Sequence, residues 1–137
     1  MGRLRDTLDR WFRRAPLLNV AGDEGEGPVV VLVHGIASSS VTFQNLVPLL
    51  EPNHRVISID ILGFGRSPAP EDARYTLEEH VDALHRTLRS LRLRAPFVLV
   101  GHSLGSLIVA RYAADHPAAL TRLVLVGPPV YRPPAAI

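Results

Sequence analysis

Residues Gly101-His102-Ser103-Leu104-Gly105 set a serine between two glycines, each two positions away, directly after the apolar residues Leu99-Val100. A strand that turns sharply into a helix at such a serine holds it in strained backbone geometry and pushes its hydroxyl out to where a substrate can reach it. The chain folds back so tightly there that a Cβ two residues before or after would clash, and Gly101 and Gly105 remove both clashes. A serine presented in this way is placed to act as a nucleophile.

The other residue types narrow the chemistry further. With no cysteine, disulfides, thiolate metal sites and a cysteine nucleophile are excluded. The six histidines show no metal-ligand spacing, and no cofactor is implied. His102 adjoins the serine, but neighbours on a tight turn point apart, so it is not expected to be a base. His34 reads as structural or as a positioner of its loop. His80 and His85 fall within a long helix, His116 at a helix end before Pro117, and His54 at a strand start; none is assigned as a general base. After Ser103 the only acidic residue is Asp115, and beyond the strand predicted to end near Val126 there is neither an acid nor a histidine.

The elements that must position Ser103 follow from patterning. Val29 to Val33 is a continuous β-branched run, the signature of a central parallel strand covered on both faces. Val56, Ile57 and Ile59 mark a second strand from Arg55 to Asp60, Pro96 to Val100 a third, and Leu123 to Val126 a fourth. Leu17 to Val20 reads as a short strand and Gly22 to Gly27 as an acidic turn. Thr42 to Leu50 reads as a helix stopped near Pro52. The clearest helix opens at Thr76 and Glu79, a capping box, with Leu77, Val81, Leu84, Leu88 and Leu91 recurring at helical spacing. Another runs from Leu104 to Asp115. Strands alternating with helices predict an α/β fold with a doubly wound, mostly parallel sheet.

Composition bounds the rest. The chain of 137 residues has 47% hydrophobic and 20% charged residues, the balance of one globular domain. No apolar run approaches the 18 or so residues of a membrane span. All 15 basic residues are arginine and net charge is only +2, with no basic stripe except at residues 1–14, which makes nucleic-acid binding a poor reading. Residues 3–14 place Leu4, Leu8, Trp11 and Phe12 at helical spacing; a surface helix is the default, attachment to a membrane surface or partner the sharper alternative. Without an apolar leader segment, the chain is expected to be cytoplasmic.

Three motifs lie at the ends of three predicted strands: His34-Gly35-Ile36, then Asp60-Ile61-Leu62-Gly63-Phe64-Gly65-Arg66-Ser67, then the Ser103 elbow. In this order the chain resembles the α/β-hydrolase superfamily, near its epoxide hydrolase, esterase and cofactor-free haloperoxidase branches, over about residues 28–127. The resemblance implies a truncated α/β-hydrolase core of about four parallel strands with flanking helices, ordered second, first, third, fourth. It leaves residues 1–27 as an N-terminal helix with a short strand or turn and residues 128–137 as a Pro-rich tail. It implies Ser103 as nucleophile and the backbone N–H groups of Leu104 and Ile36 as the oxyanion hole. His34, Gly35, Gly101, Gly105 and Asp60 would be structural support, since Asp60 ends the wrong strand for a triad acid.

In this fold the acid and then the histidine follow the serine, and neither is found here after the fourth strand. The expectation is a serine hydrolase acting on an ester or similar small acyl substrate through an acyl-enzyme, represented by an N-terminal fragment. Two alternatives stand beside it. One is a non-catalytic binding module; the other is a half-enzyme completed by a partner chain, or by self-association at an exposed last strand.

Overall fold

The structure, a computed structural model, describes residues 15–35 and 43–129. Five strands lie in one sheet ordered β1-β3-β2-β4-β5: β1 Val20–Glu24, β2 Val29–Val33, β3 Arg55–Ile59, β4 Phe97–His102 and β5 Leu120–Val126. β3, β2, β4 and β5 run parallel in the anticipated order. The α-helices among the described residues are the single turn α1 (Val47–Leu50), then α2 (Leu77–Ser90) and α3 (Leu104–Asp115), with a 3-10 turn at Pro117–Ala119 before β5.

Alternation along the strands sorts the core onto two faces. Val31, Val33, Ile57, Ile59 and Leu99 join Val81, Leu84 and Leu88 of α2 and Ile108, Val109 and Tyr112 of α3 in one cluster. Val30, Leu32, Val56 and Val100 form a second cluster with Phe43, against which Leu46, Val47 and Leu50 pack. Helices on both faces of a largely parallel sheet make the architecture doubly wound. Both faces of β2 are therefore covered, which is why its sequence is apolar without alternation.

Three expectations need correction. The strand near the N-terminus is not Leu17 to Val20; only Val20 of that stretch belongs to β1, which continues through Glu24 where an acidic turn was expected. β1 is antiparallel to β3, with Asp23 opposite Ile57, and adds a fifth strand to the four expected parallel ones. Cross-strand charge holds it there: Arg55 donates to both Asp23 carboxylate oxygens, at 2.8 and 2.6 Å. The helix expected over Thr42 to Leu50 is confined, among described residues, to Val47–Leu50, preceded by turns. β5 also begins earlier than expected, at Leu120. The amphipathic helix expected at 3–14 and most of the Pro-rich tail lie outside the described residues.

The capping box of α2 is half formed. Thr76 Oγ1 accepts from the Glu79 N–H at 3.1 Å, but the Glu79 carboxylate reaches back to the Arg74 N–H, not to that of Thr76. Segment 15–19 is tied down beside α2: the Leu18 N–H donates to Thr87 Oγ1 at 2.9 Å, and Arg86 donates to the Ala15 carbonyl.

Candidate active site

A parallel sheet brings the carboxyl ends of its strands to one edge, and three loops meet there. β4 ends at His102, and Ser103 follows with φ 56° and ψ −122°, the left-handed side where a non-glycine residue is strained. α3 starts at the next residue. The turn is pinned on both sides: the Ser103 N–H donates to the Val126 carbonyl at 3.0 Å, and the Ser103 carbonyl accepts from the Ser106 N–H at 2.9 Å and the Ser106 hydroxyl at 2.5 Å. Among the described residues the Ser103 hydroxyl makes no hydrogen bond, neither capping α3 nor meeting a histidine. The strain is thus held by backbone contacts, and the side chain is left uncommitted.

The glycines explain how the loops approach so closely. A Cβ on Gly101 would lie 2.4 Å from the Gly105 carbonyl oxygen and 2.5 Å from Val109 Cγ2, so Gly101 lets α3 start against β4. A Cβ on Gly105 would lie 2.4 Å from the carbonyl oxygens of both Val33 and His34, so Gly105 lets the same helix sit on the end of β2. Gly35 closes the arrangement from the other side. A Cβ there would stand 2.7 Å from Ser103 Cβ, 2.8 Å from the His102 carbonyl oxygen and 3.2 Å from the Leu104 nitrogen. The His34-Gly35 loop therefore lies directly against Ser103 and the first N–H of α3. Ile36, the second expected oxyanion donor, lies outside the described residues.

His34 and Asp60 form a buried pair beneath this loop. The β2–β3 register sets Val33 opposite Ile59, so the next residue of each strand meets the other. His34 is 1% and Asp60 3% exposed. His34 Nδ1 lies 2.8 Å from the Gly35 carbonyl oxygen, and the Ile61 N–H points at Nε2 from 3.3 Å. A carbonyl only accepts and a backbone N–H only donates, so these partners assign the proton to Nδ1 and leave Nε2 bare. Nε2 nevertheless sits 3.2 Å from Asp60 Oδ1, an oxygen with no hydrogen-bond donor among the described residues.

The other Asp60 oxygen, Oδ2, accepts from Asn19 Nδ2 at 3.0 Å and the Arg66 N–H at 3.1 Å. The Asp60 carbonyl accepts from Ser67 Oγ at 2.6 Å, and Ser67 Oγ accepts in turn from the Asn19 N–H. Asp60 thus organises loop 60–67 and ties it to residue 19. Sequence reasoning missed Asn19 and Ser67 as parts of this network; no local pattern joins residues 19, 34, 60 and 67.

The remaining histidines sit elsewhere. His102 lines the α1 side of the sheet with Val98 and Val100. His54 contacts the Leu50 carbonyl through Nδ1 at 3.2 Å. His85 stacks on His116, ring centroids 4.2 Å apart, beside Tyr112 where α2 packs on α3. No cluster of three or more His, Asp or Glu suited to a metal occurs among the described residues. No helix among them is long and apolar enough to cross a membrane.

Comparison with known proteins gives this geometry a context. Residues 28–136 match the family described as alpha/beta hydrolase fold. A probable lysophospholipase of Arabidopsis thaliana, BODYGUARD 2, is 38% identical over 113 residues, which cover 79% of this chain and 24% of that protein. An alpha/beta hydrolase fold protein from Burkholderia ambifaria superposes with a TM-score of 0.73 at 33% identity, over 82% of this chain and 41% of the other. A serine hydrolase involved in carbazole degradation superposes with a TM-score of 0.75 at 29% identity, over 80% of this chain and 43% of the other. The chain spans about a quarter of the length of that curated relative.

Proposed function

The chain belongs to the alpha/beta hydrolase family, and from that membership we propose that it carries the nucleophile half of a serine hydrolase acting on an ester or similar small acyl substrate. Ser103 Oγ attacks the acyl carbonyl. The oxyanion is held by the N–H groups of Leu104 and Ile36, the alcohol departs with a proton, and water later releases the acyl group from the serine. The observation that carries the reading is the strained Ser103 backbone with Gly35 against it and the Leu104 nitrogen. Preorganised donors of this kind supply a large share of acyl-transfer catalysis, each worth about 2.7–4 kcal/mol.

No residue of this chain is assigned as the base or its carboxylate partner. His34 has both nitrogens occupied by other groups, His80 and His85 lie along α2, and His116 follows the end of α3. A serine without a base is a weak nucleophile near neutral pH. The open side of β5 favours a second reading of the same site, in which another polypeptide, docked there, supplies the acid and histidine. Similarity to a probable lysophospholipase and to a carbazole-pathway serine hydrolase supports the acyl class without choosing a substrate within it.

A fluorophosphonate probe with peptide mass spectrometry tests the nucleophile. The expected adduct is on Ser103 and is lost in Ser103→Ala. Gly35→Ala pushes the oxyanion loop off the elbow and is expected to slow labelling by about 10²–10³-fold, the usual effect of losing one oxyanion donor. Gly22→Ala, where a Cβ meets nothing closer than 3.8 Å, is expected to label normally. A folded chain that takes no label on Ser103 rules the reading out.

A further inference from the structure

The opposite edge of the sheet, where the strands begin, carries a feature that acyl chemistry does not use. β4 is six residues long, so its start lies ~20 Å from Ser103. There the turn at residues 92–96 separates two cavities. One, of about 370 Å³, is lined by Arg89, Arg92, Arg94, Phe97 and Tyr112 among others. The second, of about 420 Å³, shares Arg92 and Arg94 and adds Arg55. Neither cavity is lined by a carboxylate.

Charge accumulates at this turn for a reason visible in the chain. From residue 83 to residue 114 there are five arginines and no aspartate or glutamate. Arg55 is already paired with Asp23. Arg89, Arg92 and Arg94 make no ion pair among the described residues, where the salt bridges of arginine are confined to Arg55 and Arg111. Three guanidinium groups thus line one turn with no carboxylate partner among the described residues, an arrangement suited to an anion. Arg92 is further held at φ 51°, so the turn presents them from a strained backbone.

A second observation points the same way. Tyr112 is 4% exposed as a residue, yet it lines the first cavity. Burial raises its pKa above the ordinary phenol value, so it remains an O–H donor. One phenol O–H donor and three guanidinium groups, with no carboxylate lining either cavity, match an anion that has several oxygens. Arginine forks suit phosphate bidentately.

We propose that Arg89, Arg92, Arg94 and Tyr112 form a binding site for a phosphate ester group, either on a soluble phosphomonoester or on a phospholipid headgroup. The apolar walls at Leu88, Leu93 and Phe97 take the organic part beside the phosphate.

The test uses the whole chain with two probes. Glycerol 3-phosphate is titrated by calorimetry, and vesicles of phosphatidylcholine with and without phosphatidic acid are used in co-sedimentation. Binding of the first probe alone identifies a soluble ester, and binding of acid-containing vesicles alone identifies a headgroup; either supports the site. Replacement R89Q/R92Q/R94Q, all at exposed positions, is expected to weaken binding by about tenfold or more with circular dichroism unchanged. Tyr112→Phe is expected to weaken it by a smaller factor. The five arginines of residues 1–14 provide the control. The proposal is overturned by failure of both probes to bind, by binding that survives R89Q/R92Q/R94Q, or by binding abolished only when the N-terminal arginines become glutamine.

Discussion

At Asp60 one side chain does two things at once, and they can be separated. Oδ2 accepts from Asn19 and Arg66, while Oδ1 faces the bare Nε2 of His34 at 3.2 Å. Two lone pairs in contact inside the protein are unfavourable, so the carboxylate is the better side chain for the loop and the worse one for the histidine. Asp60→Asn can turn its amide N–H₂ toward Nε2 while its oxygen keeps the bonds to Asn19 and Arg66. It is expected to unfold in urea within about 1 kcal/mol of the parent, or above it. Asp60→Ala leaves two part-buried donors without an acceptor and is expected to cost about 1–3 kcal/mol. Equal large losses in both variants would mean that His34 is protonated and paired with Asp60, against the assignment made from its neighbours. The elbow was legible residue by residue because its glycines answer a local steric demand. The Asp60–His34 pair was not, because its two residues are 26 apart and meet only through the β2–β3 register.

The long helix α2 carries the molecule's titrating interior. His80 is buried within a ring-centroid distance of 6.1 Å from Tyr75, and burial holds its pKa below the usual value, with Glu79 pulling weakly upward. His85, one turn and a half further on, is lowered by burial and then by His116 and Arg89, with Asp115 opposing. For both, the unfolded chain binds the proton more tightly than the folded one. Their contribution to stability is therefore complete above the unfolded pKa of about 6.5 and declines as pH falls through it, levelling off once the folded state is protonated too. Thermal unfolding followed from pH 7.5 to pH 5 is expected to show Tm falling in that window. His80→Phe should flatten the slope; an unchanged slope in H80F/H85F would exclude this helix as its source. Elements with self-sufficient signals were read correctly: α2 from its cap and apolar period, β2 to β4 from their continuous apolar runs. β1 was not, since Val20–Glu24 has almost no apolar content and is a strand only because β3 pairs with it and Arg55 holds Asp23. α1 was overextended, since its apolar residues pack on the sheet through turns as well as through one helical turn.

At the scale of the whole sheet, β5 is an edge among the described residues. β5 pairs with β4 and, among the described residues, with nothing beyond it. Its apolar residues show on both faces, Leu123 and Leu125 at 38% and 42% exposure and Val124 and Val126 at 41% and 45%. On the α1 side, Val124 and Val126 continue into an apolar cavity of about 630 Å³ floored by Val98 and Val100 and walled by Phe43 and Leu46. An edge strand of seven residues has Arg122 as its single charge, a sparse defence against edge-to-edge pairing. Antiparallel pairing of two β5 strands centred on Leu123 would set each Arg122 opposite a Val124, so the only charge on the edge would not face its own copy. The chain is therefore expected to associate through β5 with increasing concentration, seen in sedimentation velocity. Val124→Lys with Leu125→Lys adds one charge to each face at positions already half exposed. That pair is expected to return the chain to monomer at a cost within about 1 kcal/mol of fold stability. Leu17→Lys and Leu49→Lys, at residues 47% and 77% exposed but off this strand, are expected to leave association as it was. If those distant changes dissolve the assembly and the β5 changes do not, the edge is not the contact.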